Sequence, residues 1–350
     1  MRAAAILGLG CSLKNLKPFQ FDQGSSNSIE WRMGMPASSD DADVILMFGG
    51  DGTVHRHLGQ LVKLGLPVLV VPEGSGNDFA RALGLRSVRD SLAAWRRFCG
   101  DAGHIPAENV RAIDLGFIAP LGSAGGAPSA IAQGRSAPHT PVRDLLSGPL
   151  YFACVAGVGL DGEVAARANR LPRWLRGHGG YVLSLAPSIF TFAPLPTKIL
   201  TSSQVPAENP LESSPPVVCP ANRERPVWTT RSDRPSILAA FANTPLYGGG
   251  MKIAPRAKMD DGLLDVCIVG AVDRFRLLRL FPTVYSGNHL NVPEVEYFQT
   301  CRVRVETEHP LDVYADGEYV CQTPVELGIQ RGALRVIVHE SQTRSAALRG

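Results

Sequence analysis

Two glycine-rich turns place acidic and hydroxyl side chains between a strand and a helix, where phosphate could bind. Gly49-Gly50-Asp51-Gly52-Thr53 follows the strand-like run Asp43 to Phe48 and precedes Val54, Leu58, Leu61 and Val62 at helical spacing. Such a turn between a buried strand and a helix lets backbone N–H groups approach phosphate oxygens without a Cβ in the way. The helix N-terminus adds a favourable partial charge. A nucleoside triphosphate suits it. Asp51 would repel phosphate on its own, so its place there makes sense with a Mg²⁺ ion between the two anions. Thr53 can donate its hydroxyl to phosphate or cap the helix. The same five residues also read as a plain tight turn with a helix cap, and the loop alone leaves both readings open.

The second turn, Glu73-Gly74-Ser75-Gly76, follows Pro67 to Pro72, with Asn77 or Asp78 as helix cap, Phe79 and Leu83 on one face and Gly84 at the end. It comes about twenty residues after the first, the interval at which a neighbouring parallel strand presents its loop on the same edge. Together the two turns could hold one triphosphate. Neither a Gly-Lys-Ser/Thr phosphate loop nor a Gly-x-Gly-x-x-Gly dinucleotide loop occurs between a strand and a helix in this chain.

The elements that must position these turns show a change of rhythm. Over the first hundred or so residues, apolar β-rich runs alternate with amphipathic helical ones, which predicts a parallel βα layer. From about Arg111 strands and turns dominate, and Arg302 to Val305, Leu311 to Tyr314 and Leu334 to Val338 alternate in the antiparallel manner. At 350 residues, 45% of them hydrophobic and 19% charged, the chain predicts two globular cores. A formal charge of +3 from 35 basic and 32 acidic residues gives no argument for nucleic acid. The seven cysteines form no Cys-x-x-Cys pair and are odd in number, so neither a disulfide framework nor a zinc site is indicated, and a reducing cytoplasm fits.

Met1 to Gly8 has too short an apolar run for a signal peptide and reads as a first strand. The uncharged stretch Gly179 to Thr197 is broken by Pro187, Pro194 and Pro196, which favours a buried helix and turn over a membrane span. Ala119 to Pro149 and Thr201 to Ser236, rich in Pro, Ser, Gly and Ala, read as mobile surface insertions. Arg170-Leu171-Pro172-Arg173-Trp174-Leu175-Arg176 interleaves basic, aromatic and apolar residues as an interfacial contact would, although a solvated basic turn before a buried helix accounts for it equally well.

With both turns in view, the sequence resembles the diacylglycerol kinase catalytic-domain family, which includes bacterial lipid kinases and the sphingosine kinases. Arg111 to Gly116 is similar to the family's strand entering the second domain, and Ala156 to Val164, with Gly157, Gly159 and Asp161, to its Gly-x-Gly-x-Asp segment. Asn243 to Asp265, containing Tyr247-Gly248-Gly249-Gly250-Met251 and Asp260-Asp261-Gly262-Leu263-Leu264-Asp265, resembles its longest C-terminal motif, and Asp316-Gly317-Glu318 its Asp-Gly-Glu signature. The blocks keep family order over residues 43 to 338. The chain departs from the pattern at Gly8-Leu9-Gly10-Cys11-Ser12, where the family's first strand ends in Asn-Pro before a Ser-Gly turn. It departs again at His55, where the family often has Asn, and in the stretch from Ser12 to Asp43, short for the usual helix, strand and helix.

The resemblance implies an α/β plus all-β fold: an N-terminal α/β domain over 1–108, like that of NAD kinases and phosphofructokinases, and a β-rich sandwich over 109–342, with catalysis in the cleft between them. ATP would bind at Gly49, Gly50, Asp51, Gly52 and Thr53, continuing to Val54 and His55, with Ser75 contributing a hydroxyl from the second turn. Glu318 falls on the family's proton acceptor, supported by Asp316, and Asp51 orients the phosphates through Mg²⁺. A structural Mg²⁺ maps to Asp261 with the backbone carbonyls of Lys258 and Leu263. Taken as turns without the resemblance, Asp316-Gly317 and Asp261-Gly262 are equally good hairpin signals. The implied activity is transfer of the ATP γ-phosphate to a lipid hydroxyl, diacylglycerol or a related lipid, by a cytoplasmic protein peripheral to the inner membrane face. A sphingoid-base kinase, an NAD kinase and a non-catalytic lipid- or nucleotide-binding relative are the competing readings. No nucleic-acid partner is expected, and a homodimer is left open.

Overall fold

The structure, a computed structural model, describes residues 1–21, 29–100, 108–121, 149–160, 162, 164, 167, 188, 193–202 and 226–339. The N-terminal layer is a parallel sheet ordered β2 (Glu30–Met33), β1 (Arg2–Leu7), β3 (Val44–Gly49) and β4 (Val68–Pro72). Every residue of β3 is buried, as its unbroken apolar run requires when helices cover both faces of the sheet. Helix α2 (Asp51–Leu64) turns Val54, Leu58, Leu61 and Val62 inward and ends at Gly65 in the left-handed conformation, φ 63°. Around it stand α1 (Leu13–Phe21), α3 (Asp78–Ala82) and α4 (Val88–Gly100). The buried Trp95 of α4 donates its indole N–H to the Phe19 carbonyl, tying α4 to α1.

The short stretch after Ser12 does hold a helix and a strand, α1 and β2. The second expected helix is reduced to one 3-10 turn, Ser39–Asp41, closed by a capping box from Ser38. A single turn with a strong cap spans what the missing residues would have covered.

The second layer is antiparallel. Its strands are β5 (Val110–Pro120), β6 (Leu150–Phe152), β7 (Val155–Gly159), β8 (Leu195–Ser202), β9 (Trp228–Ala242), β10 (Leu264–Gly270), β11 (Val295–Thr300), β12 (Arg302–Thr307), β13 (Asp312–Ala315), β14 (Glu318–Gln322) and β15 (Val325–Ile337). Two short helices, α5 (Arg274–Leu280) and α6 (Thr283–Ser286), lie between β10 and β11. Strand β15 pairs with β5 along most of its length and with β12 over its first residues, and then Val336 meets Val68 of β4 in parallel. One strand thus seams the two layers. Leu334, Val336, Ile337 and Val338 pack into the same core as β1, β3 and β4.

The insertion expected over 201–236 is a correction. Thr201 and Ser202 end β8, and Trp228 to Ser236 form the first half of β9, paired antiparallel with β8 across a register shift at Ile199/Leu200. That half of β9 is mostly exposed, so its polar sequence resembles a linker although its backbone sits in a ladder. Ala119 and Pro120 likewise end β5. Residues 122–148 and 203–225, and the segments 170–176 and 181–187, lie outside the described residues. No described helix is long and apolar enough to cross a membrane.

Candidate active site

The first glycine turn is packed tightly against the backbone of the second turn and the Thr53 side chain. A Cβ on Gly74 would sit 2.4 Å from Gly50 Cα, so the two glycine turns touch backbone to backbone, and the Glu73 N–H donates to the Gly49 carbonyl at 3.1 Å. Cβ atoms on Gly8 and Gly49 would fall 2.5 and 2.6 Å from Thr53 Oγ1, so the Thr53 hydroxyl, nearly buried, lies under the floor made by the β1 and β3 ends. The Gly8 to Ser12 turn is held by its own backbone and by Asn15. The Asn15 side-chain amide accepts from the Ser12 N–H and donates to Glu73 Oε1 at 2.9 Å, linking the start of α1 to the second turn.

Asp51 opens α2 and reaches across to α3, its carboxylate accepting the N–H groups of Asp78 and Phe79 at 3.0 Å each. Desolvation first, and then the neighbouring Asp78 charge, push its pKa up to about 6. A cation would relieve that load, and each oxygen keeps lone-pair capacity beyond its backbone bond. Val54 packs into the core and His55 faces the other layer. Ser75 is exposed at the tip of the second turn, whose shape Asn77 holds by bonding both the N–H and the carbonyl of Gly74.

The second layer closes on this platform at three points. Buried Asp78 accepts from Arg81 at 2.9 Å and from the Gly249 N–H at 2.7 Å, with Gly249 at φ 85°. His55 Nδ1 stands 3.2 Å from Asp316 Oδ2. Glu318 Oε1 lies where a Cβ on Gly52 would be 2.9 Å away. Glu318 therefore rests directly over the first turn of α2, and the absence of a side chain at Gly52 makes the room.

Asp316 and Gly317 form the hairpin turn between β13 and β14 with φ of 50° and 84°, both positive, as a two-residue Asp-Gly hairpin demands. The Asp316 carboxylate does not face Glu318. It accepts the N–H groups of Ala153 and Cys154 at 2.8 Å and of Val155 at 3.2 Å, so it pins the Glu318 hairpin to the start of β7 and to α2 through His55.

The Asp260-Asp261-Gly262 turn is a separate construction. Asp261 Oδ1 accepts the Leu263 N–H at 3.0 Å, while Asp114 grips the Gly262 N–H at 2.7 Å and the Gly332 N–H at 2.8 Å. Lys258 is exposed beside it. Burial, followed by the charges of Asp265 and Asp114, raises the pKa of Asp261, and Lys258 offsets this in part. This concentration of negative charge suits a hard cation. No group of three or more His, Cys, Asp or Glu among the described residues is arranged to hold a metal, so a cation here would also need backbone carbonyls. Asn243, fully buried, bonds the Asp114 and Ala153 carbonyls at 2.8 and 3.0 Å and braces the frame behind the turn.

An apolar cavity of ≈ 880 Å³, counted with its open mouth, lies in the second layer between Leu160, Ile237, Met251, Leu277, Phe281 and Val284. Buried His289 is the one imidazole in its wall and donates Nε2–H to the Ile253 carbonyl, which leaves Nδ1 without a partner among the described residues. Sequence reasoning missed this cavity and Asn15, read Asp78 only as a candidate helix cap, and gave Asp114 no part beyond its strand.

Comparison with known proteins gives the family. Residues 21–117 match the diacylglycerol kinase catalytic domain, and residues 154–338 match the YegS C-terminal NAD kinase beta sandwich-like domain. A diacylglycerol kinase of Mycobacterium tuberculosis is 30% identical over 296 residues, 84% of this chain and 76% of that protein. The chain belongs to the diacylglycerol kinase catalytic-domain family. A diacylglycerol kinase of Bacillus subtilis is 24% identical over 286 residues, 81% of this chain and 74% of that one. The crystal structure of a diacylglycerol kinase from Bacillus anthracis shares the fold, with a TM-score of 0.58 at 17% identity over 97% of both chains. For this kinase-family member the α/β layer and the β-rich layer thus carry the family's two matched domains.

Proposed function

We propose that the protein transfers the γ-phosphoryl group of ATP to the hydroxyl of a lipid, with diacylglycerol as the first acceptor to test. The observation that carries the reading is the Glu318 carboxylate lying against Gly52, where a general base from one layer faces a phosphate-type loop of the other. Residues 1–108 would serve the nucleotide and 109–342 the acceptor. The N–H groups of Gly49 to Thr53 and of the Ser75 turn would take the phosphates, with Asp51 and the Asp261 turn, including the Lys258 and Leu263 carbonyls, as places for Mg²⁺. The ion at Asp51 would neutralise phosphate charge and hold the transferring group in line, and the one at the Asp261 turn would be structural. The lipid hydroxyl oxygen attacks the γ-phosphorus, its proton passes to Glu318, and the bond to ADP breaks. Asp316 acts as a positioning residue for Glu318. The apolar cavity offers an acyl chain a wall of aliphatic and aromatic side chains. This function suits a protein peripheral to the cytoplasmic membrane face.

The test uses radiolabelled ATP and Mg²⁺ with a short-chain diacylglycerol, a sphingoid base and NAD in separate reactions. Glu318→Gln should lower kcat on the lipid by about a hundredfold or more while leaving the melting temperature near that of the wild type. Full activity in that variant would remove Glu318 as the base, and labelled NAD in place of labelled lipid would replace the lipid-kinase reading.

A further inference from the structure

One side of the first turns of α2 faces the β13–β14 hairpin. Glu318 rests over Gly52, and one helical turn further on His55 Nδ1 meets Asp316 Oδ2 at 3.2 Å. Asp316 and Glu318 belong to the same tight hairpin, so His55 stands beside the place where Glu318 lies. The His55 side chain is 15% exposed and that of Asp316 2%, which puts the imidazole at the rim of the contact. The pairing also fixes the other ring nitrogen. The Asp316 carboxylate already accepts the N–H groups of Ala153, Cys154 and Val155, so the neutral imidazole donates from Nδ1 and carries its lone pair at Nε2. Nε2 has no hydrogen-bond partner among the described residues and is not enclosed. An asparagine amide could make the same bond to Asp316. The imidazole adds an acceptor further along, out of an asparagine's reach.

We infer that His55 is a specificity-determining residue whose Nε2 accepts a hydrogen bond from a second hydroxyl of the lipid, on the carbon next to the one phosphorylated. The inference rests on the lipid-kinase reading, because it takes the reacting hydroxyl to lie against Glu318. A lipid with two neighbouring hydroxyls, such as a 1-monoacylglycerol, presents one to Glu318 and the other to His55. A diacylglycerol has ester oxygens at the second place, and these would set lone pairs against the Nε2 lone pair. It is therefore an acceptor of lower efficiency. Discrimination of this kind is what a polar group aimed at a substrate hydroxyl supplies.

The experiment measures kcat/KM in detergent with radiolabelled ATP and Mg²⁺ for 1-monoacylglycerol, its 2-O-methyl ether and diacylglycerol of one chain length, in the full-length wild type and in His55→Asn. Wild type should use the monoacylglycerol about fivefold better than the ether or the diacylglycerol, the worth of one neutral hydrogen bond. In His55→Asn that preference should vanish, with the melting temperature and the KM for ATP near those of the wild type. The comparison of monoacylglycerol with its ether needs no variant, so it decides the matter even if His55→Asn folds poorly. Equal use of the two by the wild type, or a preference that survives in a folded His55→Asn, would overturn the inference and leave the kinase reading standing. A wild type that labels none of these lipids would end that reading and the inference with it.

Discussion

Gly52 is the residue on which the two layers meet. It lies in the first turn of a helix, where alanine is intrinsically better by about 1 kcal/mol, so helix formation gives no reason for glycine here. The reason is across the cleft, because an added Cβ would stand 2.9 Å from Glu318 Oε1. That atom is the far end of a flexible side chain, so it can move at little cost to folding, but the proposed base then leaves its station. Gly52→Ala is therefore expected to keep or raise the melting temperature while lowering kcat at least tenfold, with the KM for ATP changed much less. Equal losses of stability and activity would show that Gly52 serves the turn alone.

Among elements, the β13–β14 hairpin is laddered to β7 by β13, and one side chain ties down its turn. The Asp316 carboxylate satisfies three backbone N–H groups at the start of β7 and meets His55 of α2. Removing it strands buried donors at a cost of about 1–3 kcal/mol for the first alone. Asp316→Ala should lower stability by about 3 kcal/mol or more in urea titration and lower kcat as the Glu318 hairpin drifts. Asp316→Asn, which retains one acceptor oxygen, should fall between. If Asp316→Ala were as stable as wild type yet inactive, Asp316 would have a direct catalytic part in place of this anchoring one.

Across the whole molecule, β15 makes the two layers one folding unit. Leu334, Val336, Ile337 and Val338 come from the far end of the sequence and sit in the core of the N-terminal sheet. Each buried aliphatic side chain contributes about 2 kcal/mol, and four together are comparable with an entire domain stability of about 5–15 kcal/mol. The fragment 1–108 on its own should thus lack a cooperative thermal transition by circular dichroism, while the full chain melts in a single transition. A fragment with a sharp, independent melt would show that the seam is dispensable.

The glycine turns, the buried parallel strands and the change from βα to β rhythm are legible in the residues alone, because backbone approach and side-chain period are local properties. The sequence also carried the family blocks, with Glu318 and Asp261 among them. It could not show that the start of β9 is a strand, since an exposed ladder has no apolar signature, nor that Ser12 to Asp43 holds a helix and strand closed by one capped turn. Only the tertiary structure decided that Asp51 and Asp78 are shared between turns, that Asp316 anchors a hairpin, and that Glu318 lies on Gly52. Those pairings join residues far apart in the chain. They exist because β15 and the buried carboxylates bring two layers to one distance, and no local pattern of residues encodes a distance between layers.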